Sequence, residues 1–245
     1  MRTPRIHTRQ PLSSDQTVLL DDNAFNHAVR VLRLKEGDTI RLFNGNGGEF
    51  NAQLCDVQRK RASARLGAHI AIEVESPLNI LVGQCVSRGE KMDYTIQKSV
   101  ELGVSDISPL ASERCGVQLK GERLDKKIDH WRSVVISACE QSGRNTLPQL
   151  NTQTPLSQWV SQVDAEIKLV LDPGETTTLP QLSPPQGAIA LLVGPEGGLT
   201  DDEVALAKRH GFTGIRLGPR ILRTETAALA TLSAIQVLWG DFDSL

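Results

Sequence analysis

"LLVGPEGGLTDDE", residues 191–203, decides how the C-terminal half of this chain is read. An apolar run ends in a loop with three glycines, and an acidic stretch of helical character follows. Strand, glycine-rich loop and helix N-terminus often cradle phosphate, because unpaired amides and the helix dipole favour anions. Here the side chains oppose that use. The stretch has no lysine, matches neither GxxxxGK[ST] nor GxGxxG, and sets Glu196, Asp201, Asp202 and Glu203 in the path of a polyphosphate. Thr200 and Glu203 stand three apart as a capping box, which gives partners to two amides an anion would otherwise use. The loop therefore suits a neutral or cationic ligand. Pro195 fixes one backbone angle, while Gly194, Gly197 and Gly198 allow close approach to the main chain. The plain alternative is a tight strand-to-helix turn that holds nothing.

Outward from this stretch, apolar runs alternate with helical patterns. "NILVGQCV" (79–86), "VSDISPLAS" (104–112), "IKLVLD" (167–172), "AIALLVG" (188–194) and "GIRL" (214–217) read as strands. Between them, "EKMDYTIQKSVELG" is helical and ends at Gly103, and residues 200–210 form another helix. "ERLDKKIDHWRSVVISACEQSG" (122–143) is a long amphipathic helix with Leu124, Ile128, Trp131, Val135 and Ala138 on one face and Gly143 as its C-terminal cap. Repeated strand–helix units imply a parallel sheet with helices on both faces. The last helix, "TETAALATLSAIQVLW" (224–239), is apolar nearly all round, so it must bury itself against its own domain or a partner chain. "PGETTTLPQLSPPQG" (173–187) is the long irregular segment of this half.

The N-terminal 72 residues read differently. "DTIRLFNGNGGEFNAQLCDV" (38–57) carries a hairpin pattern around its glycine-rich turn, and "ASARLGAHIAIEV" (62–74) supplies another strand. "NAFNHAVRVLRLKEGD" (23–38) is a short helix capped by Asp22 or Asn23 and ended by Gly37. Short strands with one helix suggest a small barrel, and Pro77 marks the boundary, giving domains 1–72 and 73–245.

With 245 residues, 39% hydrophobic and 23% charged, the chain can bury a sizeable core and is not disordered in composition. No apolar run approaches the roughly 20 residues of a membrane span, and the basic N-terminus lacks the apolar stretch of a secretory signal. Cys55, Cys85, Cys115 and Cys139 form no CxxC pair, which points to free thiols in the cytoplasm and no metal site. Net charge is only −2, but residues 1–70 hold 11 Lys/Arg against 7 Asp/Glu, and the remainder holds 16 against 22. A basic N-terminal portion on an acidic body points to a local nucleic-acid contact.

Three loops follow the ends of the last three strands: "LDPGE", "GPEGGLT" and "LGPRILRTETA". In an open parallel sheet that edge binds ligands. Leu217, Ile221 and Leu222 offer an apolar slot for an aromatic base, beside loops that present backbone rather than charge.

"GPEGGLTDDE" followed by "LGPRILRTETAALATL" closely resembles the RsmE family of 16S ribosomal RNA uridine-N3 methyltransferases, in the SPOUT superfamily. "HAVRVLRLKEGD", "QKSVELGV" and "EQSGRNTLP" resemble that family too, so the match covers nearly the whole chain in order. The resemblance implies a PUA-like β-barrel over 1–72, then an α/β domain over 73–245 with a parallel sheet and a C-terminal deep trefoil knot. Knots are too rare to infer from pattern alone. It implies S-adenosylmethionine, bent and held by the knot loops, with Leu171, Val193, Gly194, Pro195, Glu196, Gly197, Leu217, Gly218, Ile221, Leu222 and Thr226 as its binding residues. It also implies an obligate homodimer acting on 16S rRNA, either in the small subunit or in a late assembly intermediate. The target is the uridine numbered 1498 in the conventional scheme. A cofactor without phosphate and with a positive sulfonium tolerates Glu196 nearby, as a triphosphate would not.

Methyl transfer is an in-line displacement, so alignment is the protein's main task. The N3 proton of uridine must leave, and a cation near the uracil carbonyls would stabilise the developing anion. Arg223 is therefore expected as anion stabiliser or phosphate anchor, and Glu225 as base or as positioner of Arg223. The plain alternative for Glu225 is a carboxylate favoured in a helix's first turn. Arg9, His27, Arg30 and Arg33, beside Arg5, form a basic run for RNA, and the resemblance implies that Glu140, Gln141 and Arg144 face the substrate in the dimer. Singly, each is also an ordinary solvated residue, and Arg144 also suits a helix C-terminus. With aromatics at 4%, shape and backbone contacts should dominate RNA recognition. Cys139 reads as a packed thiol. A ribose 2′-O-methyltransferase is the rival within the class, disfavoured by "RILRTETA". An assembly factor without catalysis is the rival outside it, disfavoured by three intact loops.

Overall fold

Alternating burial along short strands builds the N-terminal sheet. In the computed structural model, which describes residues 3–117 and 119–242, these strands are β1 (Arg5–His7), β2 (Thr17–Leu19), β3 (Thr39–Phe43), β4 (Glu49–Cys55) and β5 (Ser63–Ile70). Their order is β1-β3-β4-β5-β2. The β3–β4 hairpin pairs Ile40 with Ala52 and Leu42 with Phe50. That register turns Ile40, Leu42, Ala52 and Leu54 inward with Ile6, Val18, Ala64 and Leu66. Each fully buried aliphatic side chain contributes roughly 1.5–3 kcal/mol.

The expected 23–38 helix is shorter and less regular than its pattern. α1 (Asp22–Phe25) is capped by Asp21, whose side chain accepts from the amides of Asn23 and Ala24, and a π-helical turn follows at Asn26–Val31. The Leu32 amide reaches His27 O at 3.0 Å, and Arg33 then leaves the helix at φ 56°. Ala24, Phe25 and Ala28 are the buried apolar face of this segment on the sheet core, with Val29 and Leu34 packed against it partly buried.

The chain divides into two compact units: one up to Glu75 together with Ile136–Leu147, the other Ser76–Val135 and the chain from Pro148 on. The returning segment belongs to the first unit through buried polar contacts. Arg5, 8% exposed, pairs through Nε with Glu49 at 2.8 Å and donates to the carbonyls of Cys139 and Arg144 and to Asn145 Oδ1.

The second unit comprises β6 (Ile80–Cys85), α2 (Glu90–Glu101), β7 (Asp106–Ala111), α3 (Glu122–Ser142, whose residues from Ile136 fall in the first unit), β8 (Gln149–Leu150), β9 (Thr154–Pro155), α4 (Leu156–Gln162), β10 (Ile167–Leu171), β11 (Ile189–Val193), α5 (Asp201–Arg209), β12 (Thr213–Ile215) and α6 (Thr224–Trp239). The sheet order is β12-β10-β11-β6-β7-β8, with β9 beside β7, and every pairing is parallel. All five residues of β11 are buried, as expected for a central parallel strand covered on both faces. Gly103, at φ 82°, follows the Leu102 cap of α2, and Gly143, at φ 100°, follows α3, each in a conformation a side chain would strain. β10 and β11 are adjacent and parallel, yet residues 172–188 join them with only a 3-10 turn at Leu179–Gln181, where a helix is the usual crossover.

α6 buries one face and not its whole circumference. Ala228, Thr231, Leu232, Ile235 and Gln236 are buried, and Gln236 Nε2 donates to Leu102 O at 2.8 Å. Val237 and Leu238 remain exposed, as does Phe242 beyond the helix.

Candidate active site

Because β12, β10 and β11 are neighbours and parallel, their C-terminal ends emerge on one edge. The loops that follow enclose a cavity of about 430 Å3. Leu171, Val193, Gly194, Pro195, Glu196, Gly197, Leu217, Gly218, Ile221 and Leu222 all line it, as does Arg223. Thr226 and Glu225 do not. On α6 the residues facing the cavity are Thr224 and Ala227, three apart on one helix face, and Thr226 lies exposed on another. One carboxylate oxygen of Glu225 is buried without a hydrogen-bond partner.

Gly194 is closely packed. A Cβ there would lie 3.0 Å from Leu199 Cγ and 3.1 Å from the Leu199 amide, so the loop closes on itself where a side chain would stand. Its carbonyl accepts from Thr224 Oγ1 at 2.6 Å, and that hydroxyl accepts from Gln84 Nε2 at 3.1 Å. Thr224 and the fully buried Gln84 thus tie the end of β6, the β11 loop and the start of α6 together. Arg114 donates to the carbonyls of Gly197 and Leu199, each at 3.3 Å. The Thr200–Glu203 capping box forms as its spacing predicts, and Glu203 also accepts from the Glu113 amide at 2.8 Å.

Glu196 is held as a carboxylate. Burial opposes its charge, but the amides of Arg88 and of Glu196 itself, with the Lys91 ammonium at 3.4 Å, outweigh burial and keep its pKa below the usual range. Gln84, Arg88, Lys91 and Arg114 come from distant parts of the chain, and no local motif marked them. Thr224 was legible as part of "RTETA", but only helix phase distinguishes it from Thr226.

The thiols differ in environment. Burial pushes Cys139 up to about 12, which fits a packed side chain. The Cys115 thiol falls to about 6 because a hydrogen bond with Cys85 outweighs the opposing effect of burial, aided by Ser112. Spacing alone did not distinguish it from the other cysteines.

In the first unit, Arg9, Arg30 and Arg33 are exposed, whereas Arg5 is internal. Gln141 is exposed on the last turn of α3. Glu140 faces its own unit: it accepts from the His7 amide at 2.9 Å and meets His27 Nδ1 at 2.9 Å. Arg144 is 5% exposed and ion-paired to Glu75 at 2.6 Å.

The hydrogen bond to Glu140 raises the His27 pKa above 6.5, against a smaller opposing effect of burial. A raised folded-state value means the pair stabilises fully below the unfolded pKa and fades as pH rises through the folded value. His7 has the opposite sign, since burial, its largest influence, lowers its pKa. The difference between wild type and His27→Gln therefore isolates the pair. Urea unfolding at successive pH values should show the gap largest below about pH 6.5 and shrinking above it; a gap independent of pH would contradict the pairing.

A family model for the RNA methyltransferase domain matches residues 74–236, and one for the RNA methyltransferase PUA domain matches residues 20–67. The ribosomal RNA small subunit methyltransferase E of Buchnera aphidicola (subsp. Schizaphis graminum) is 37% identical over 98% of this chain and 98% of its own. That of Bacillus subtilis is 32% identical over 96% of each. The crystal structure of the Neisseria gonorrhoeae ribosomal RNA small subunit methyltransferase E, bound to S-adenosyl methionine, superposes with a TM-score of 0.92 at 43% identity, covering 98% of this chain and 100% of that one. On domain matches, whole-length identity and fold together, this chain belongs to the ribosomal RNA small subunit methyltransferase E family.

Proposed function

We propose that this protein is an S-adenosylmethionine-dependent methyltransferase that methylates N3 of one uridine in 16S rRNA, acting in ribosomal RNA processing. The observation that carries this reading is the cavity at the ends of β10, β11 and β12. Its volume lies within the roughly 300–1,000 Å3 of small-molecule sites. Its floor is apolar at Leu171, Val193, Leu217 and Leu222, and its β11 loop presents main chain without a lysine for phosphate. An adenosyl group fits that chemistry, and the relative from Neisseria gonorrhoeae, with the same fold, holds S-adenosyl methionine.

Bound there, the cofactor would supply an electrophilic methyl group on a sulfonium. Gly194, Pro195 and Gly197 would hold it through the main chain, while Leu217, Ile221 and Leu222 cover the base. Glu196, kept ionised, adds negative charge on the cavity wall, compatible with a cation. Arg223 places a guanidinium at the cavity, where it would stabilise negative charge on the uracil carbonyls as N3 loses its proton. Glu225 takes that proton or orients Arg223; its unpartnered buried oxygen supports an acceptor role.

The finer organisation belongs to the same reading. A PUA-like RNA-binding domain occupies residues 1–72 and the methyltransferase domain 73–245. The β10–β11 crossover without a covering helix fits a trefoil knot around the cofactor loops. Exposed Val237, Leu238 and Phe242 fit a homodimer interface. Arg9, Arg30, Arg33 and Gln141 are the RNA-facing members of the first unit, with His27, Glu140 and Arg144 holding that surface. The substrate is the small subunit or a late assembly intermediate, met in the cytoplasm, and the reaction uses no metal.

The test is to incubate the protein with labelled methyl donor and small subunits lacking the modification, then map the product by reverse transcription. N3 methylation removes uracil's Watson–Crick donor, so label with a stop at one uridine is expected. Label without a stop would replace base methylation with ribose methylation. No label and no donor binding would overturn the enzymatic reading.

A further inference from the structure

Residues 216–223 join β12 to α6 without regular structure, and their composition is unusual for a cofactor loop. Arg216, Arg220 and Arg223 are all exposed and all line the cavity. None makes an ion pair among the described residues. The remaining cation of the wall, Lys91, is taken by Glu196. Of the two carboxylates on the wall, Glu196 is thus occupied, and Asp172 accepts from the Gly174 amide at 2.9 Å. The wall therefore carries Lys91 and three arginines against Asp172 and Glu196, a balance of +2 on a chain whose net charge is −2. Between the arginines, Ile221 is 87% exposed, the most exposed large apolar side chain among the described residues.

A methyl donor with no phosphate does not call for this charge. It carries a sulfonium and an ammonium against one carboxylate, so its net charge is positive, and Arg223 has a role in the reaction as proposed above. Arg216 and Arg220 remain, both exposed where they line the cavity. We propose that Arg216 and Arg220 clamp the phosphates of the RNA strand flanking the target nucleotide, with Ile221 packing on the face of an unstacked base. This rests on the methyltransferase reading and places an RNA contact on the second unit itself. Guanidinium forks match phosphate oxygens in pairs, which fixes strand register as well as attraction. An exposed aliphatic side chain beside them gives a splayed base an apolar surface without sequence preference.

The experiment measures binding of 16S rRNA fragments containing the target uridine to the full-length protein at several salt concentrations. Each lost phosphate contact should make the plot of log affinity against log salt shallower by about 0.7 for single-stranded RNA. The Arg216→Ala/Arg220→Ala double variant should thus lose about 1.4 in slope and bind roughly tenfold more weakly at low salt. Ile221→Ser should weaken binding with the slope unchanged. Donor affinity by calorimetry should match wild type in the double arginine variant, and molar mass by light scattering should match it in both. An unchanged salt slope in the double variant overturns the clamp. A loss of donor affinity would reassign the arginines to the cofactor, and a changed molar mass would make the segment an interface with a second copy. Since RNA binding is read without turnover, a protein that binds no donor and labels no small subunit yet still shows the slope change would refute the methyltransferase reading and leave the clamp standing.

Discussion

Arg223→Ala should lose at least about a hundredfold in turnover while its unfolding midpoint stays at the wild-type value. Arg223 is the residue before α6, and its side chain makes no capping bond there. Its structural contribution is its carbonyl, which accepts from the Ala227 amide at 2.7 Å and survives truncation. The guanidinium is exposed at the cavity, so the fold does not depend on it. The proposed reaction does. Removing the N3 proton leaves negative charge spread over N3 and two carbonyls, and one well-placed donor to such a charge is worth ~10² to 10³ in rate. Arg223→Lys should recover part of the loss, because it restores charge but not the fork. Single-turnover measurement at saturating donor and RNA separates this from weaker binding. Near-normal turnover would remove Arg223 from the reaction, and a collapse of donor affinity would move it to the cofactor.

Arg5→Ala should cost roughly 3–5 kcal/mol of stability, read by urea unfolding. The Arg5 side chain is 6% exposed and pairs with a Glu49 side chain 11% exposed. Its fork also satisfies the carbonyls of Cys139 and Arg144 and the Asn145 side chain, and its guanidinium lies 4.5 Å from the Phe43 ring centroid. Truncation leaves Glu49 with only Arg41 at 3.6 Å and removes the guanidinium from the carbonyls of Glu140 and Arg144 and from Asn145 Oδ1, while the Cys139 carbonyl keeps the Gly143 amide at 3.1 Å. Losing one partner of a buried pair is costly because the other charge stays desolvated. Arg5→Lys should rescue little, since one ammonium cannot reach partners arranged around a planar fork. A loss under about 1 kcal/mol would mean that water replaces the guanidinium, contrary to its burial.

The two arginines show where sequence reading succeeds and where it stops. Arg223 stands in "RILRTETA", whose neighbours already place it between a strand end and a helix start, and the structure puts it at the cavity. Arg5 stands in a basic N-terminal stretch and reads as a surface cation. Its partners at positions 49, 139, 144 and 145 have no local spacing relation to it, so only tertiary structure reveals a buried ion pair. Arg144 is alike: a C-terminal helix cation by position, a Glu75 partner by geometry.

Short elements divide in the same way. β11 and α6 are long apolar runs whose period and caps are local properties, and they appear where the pattern predicts them. β1 and β2, three residues each, carry too little period to be read and exist because the edges of β3 and β5 pair with them. α4 was likewise unread: its seven residues are held by burial of Leu156, Trp159 and Val160. The helix expected over 23–38 gives way to a π-helical turn that ends at Val31, although its apolar pattern continues and Leu34 still packs against the sheet core.

By itself, then, the sequence determined the strand–helix alternation, the three loops at one sheet edge, the capping box at Thr200 and a β11 loop whose own side chains do not suit a polyphosphate. These follow from backbone preferences and side-chain types within a few residues of one another. The tertiary structure decided the rest: which helix face meets the cavity, and so Thr224 rather than Thr226; which buried groups hold the Gly194 loop; and which arginines are internal. Burial and pairing across more than a hundred residues, as between Gln84 and Thr224, depend on where the chain returns, and no local preference encodes that.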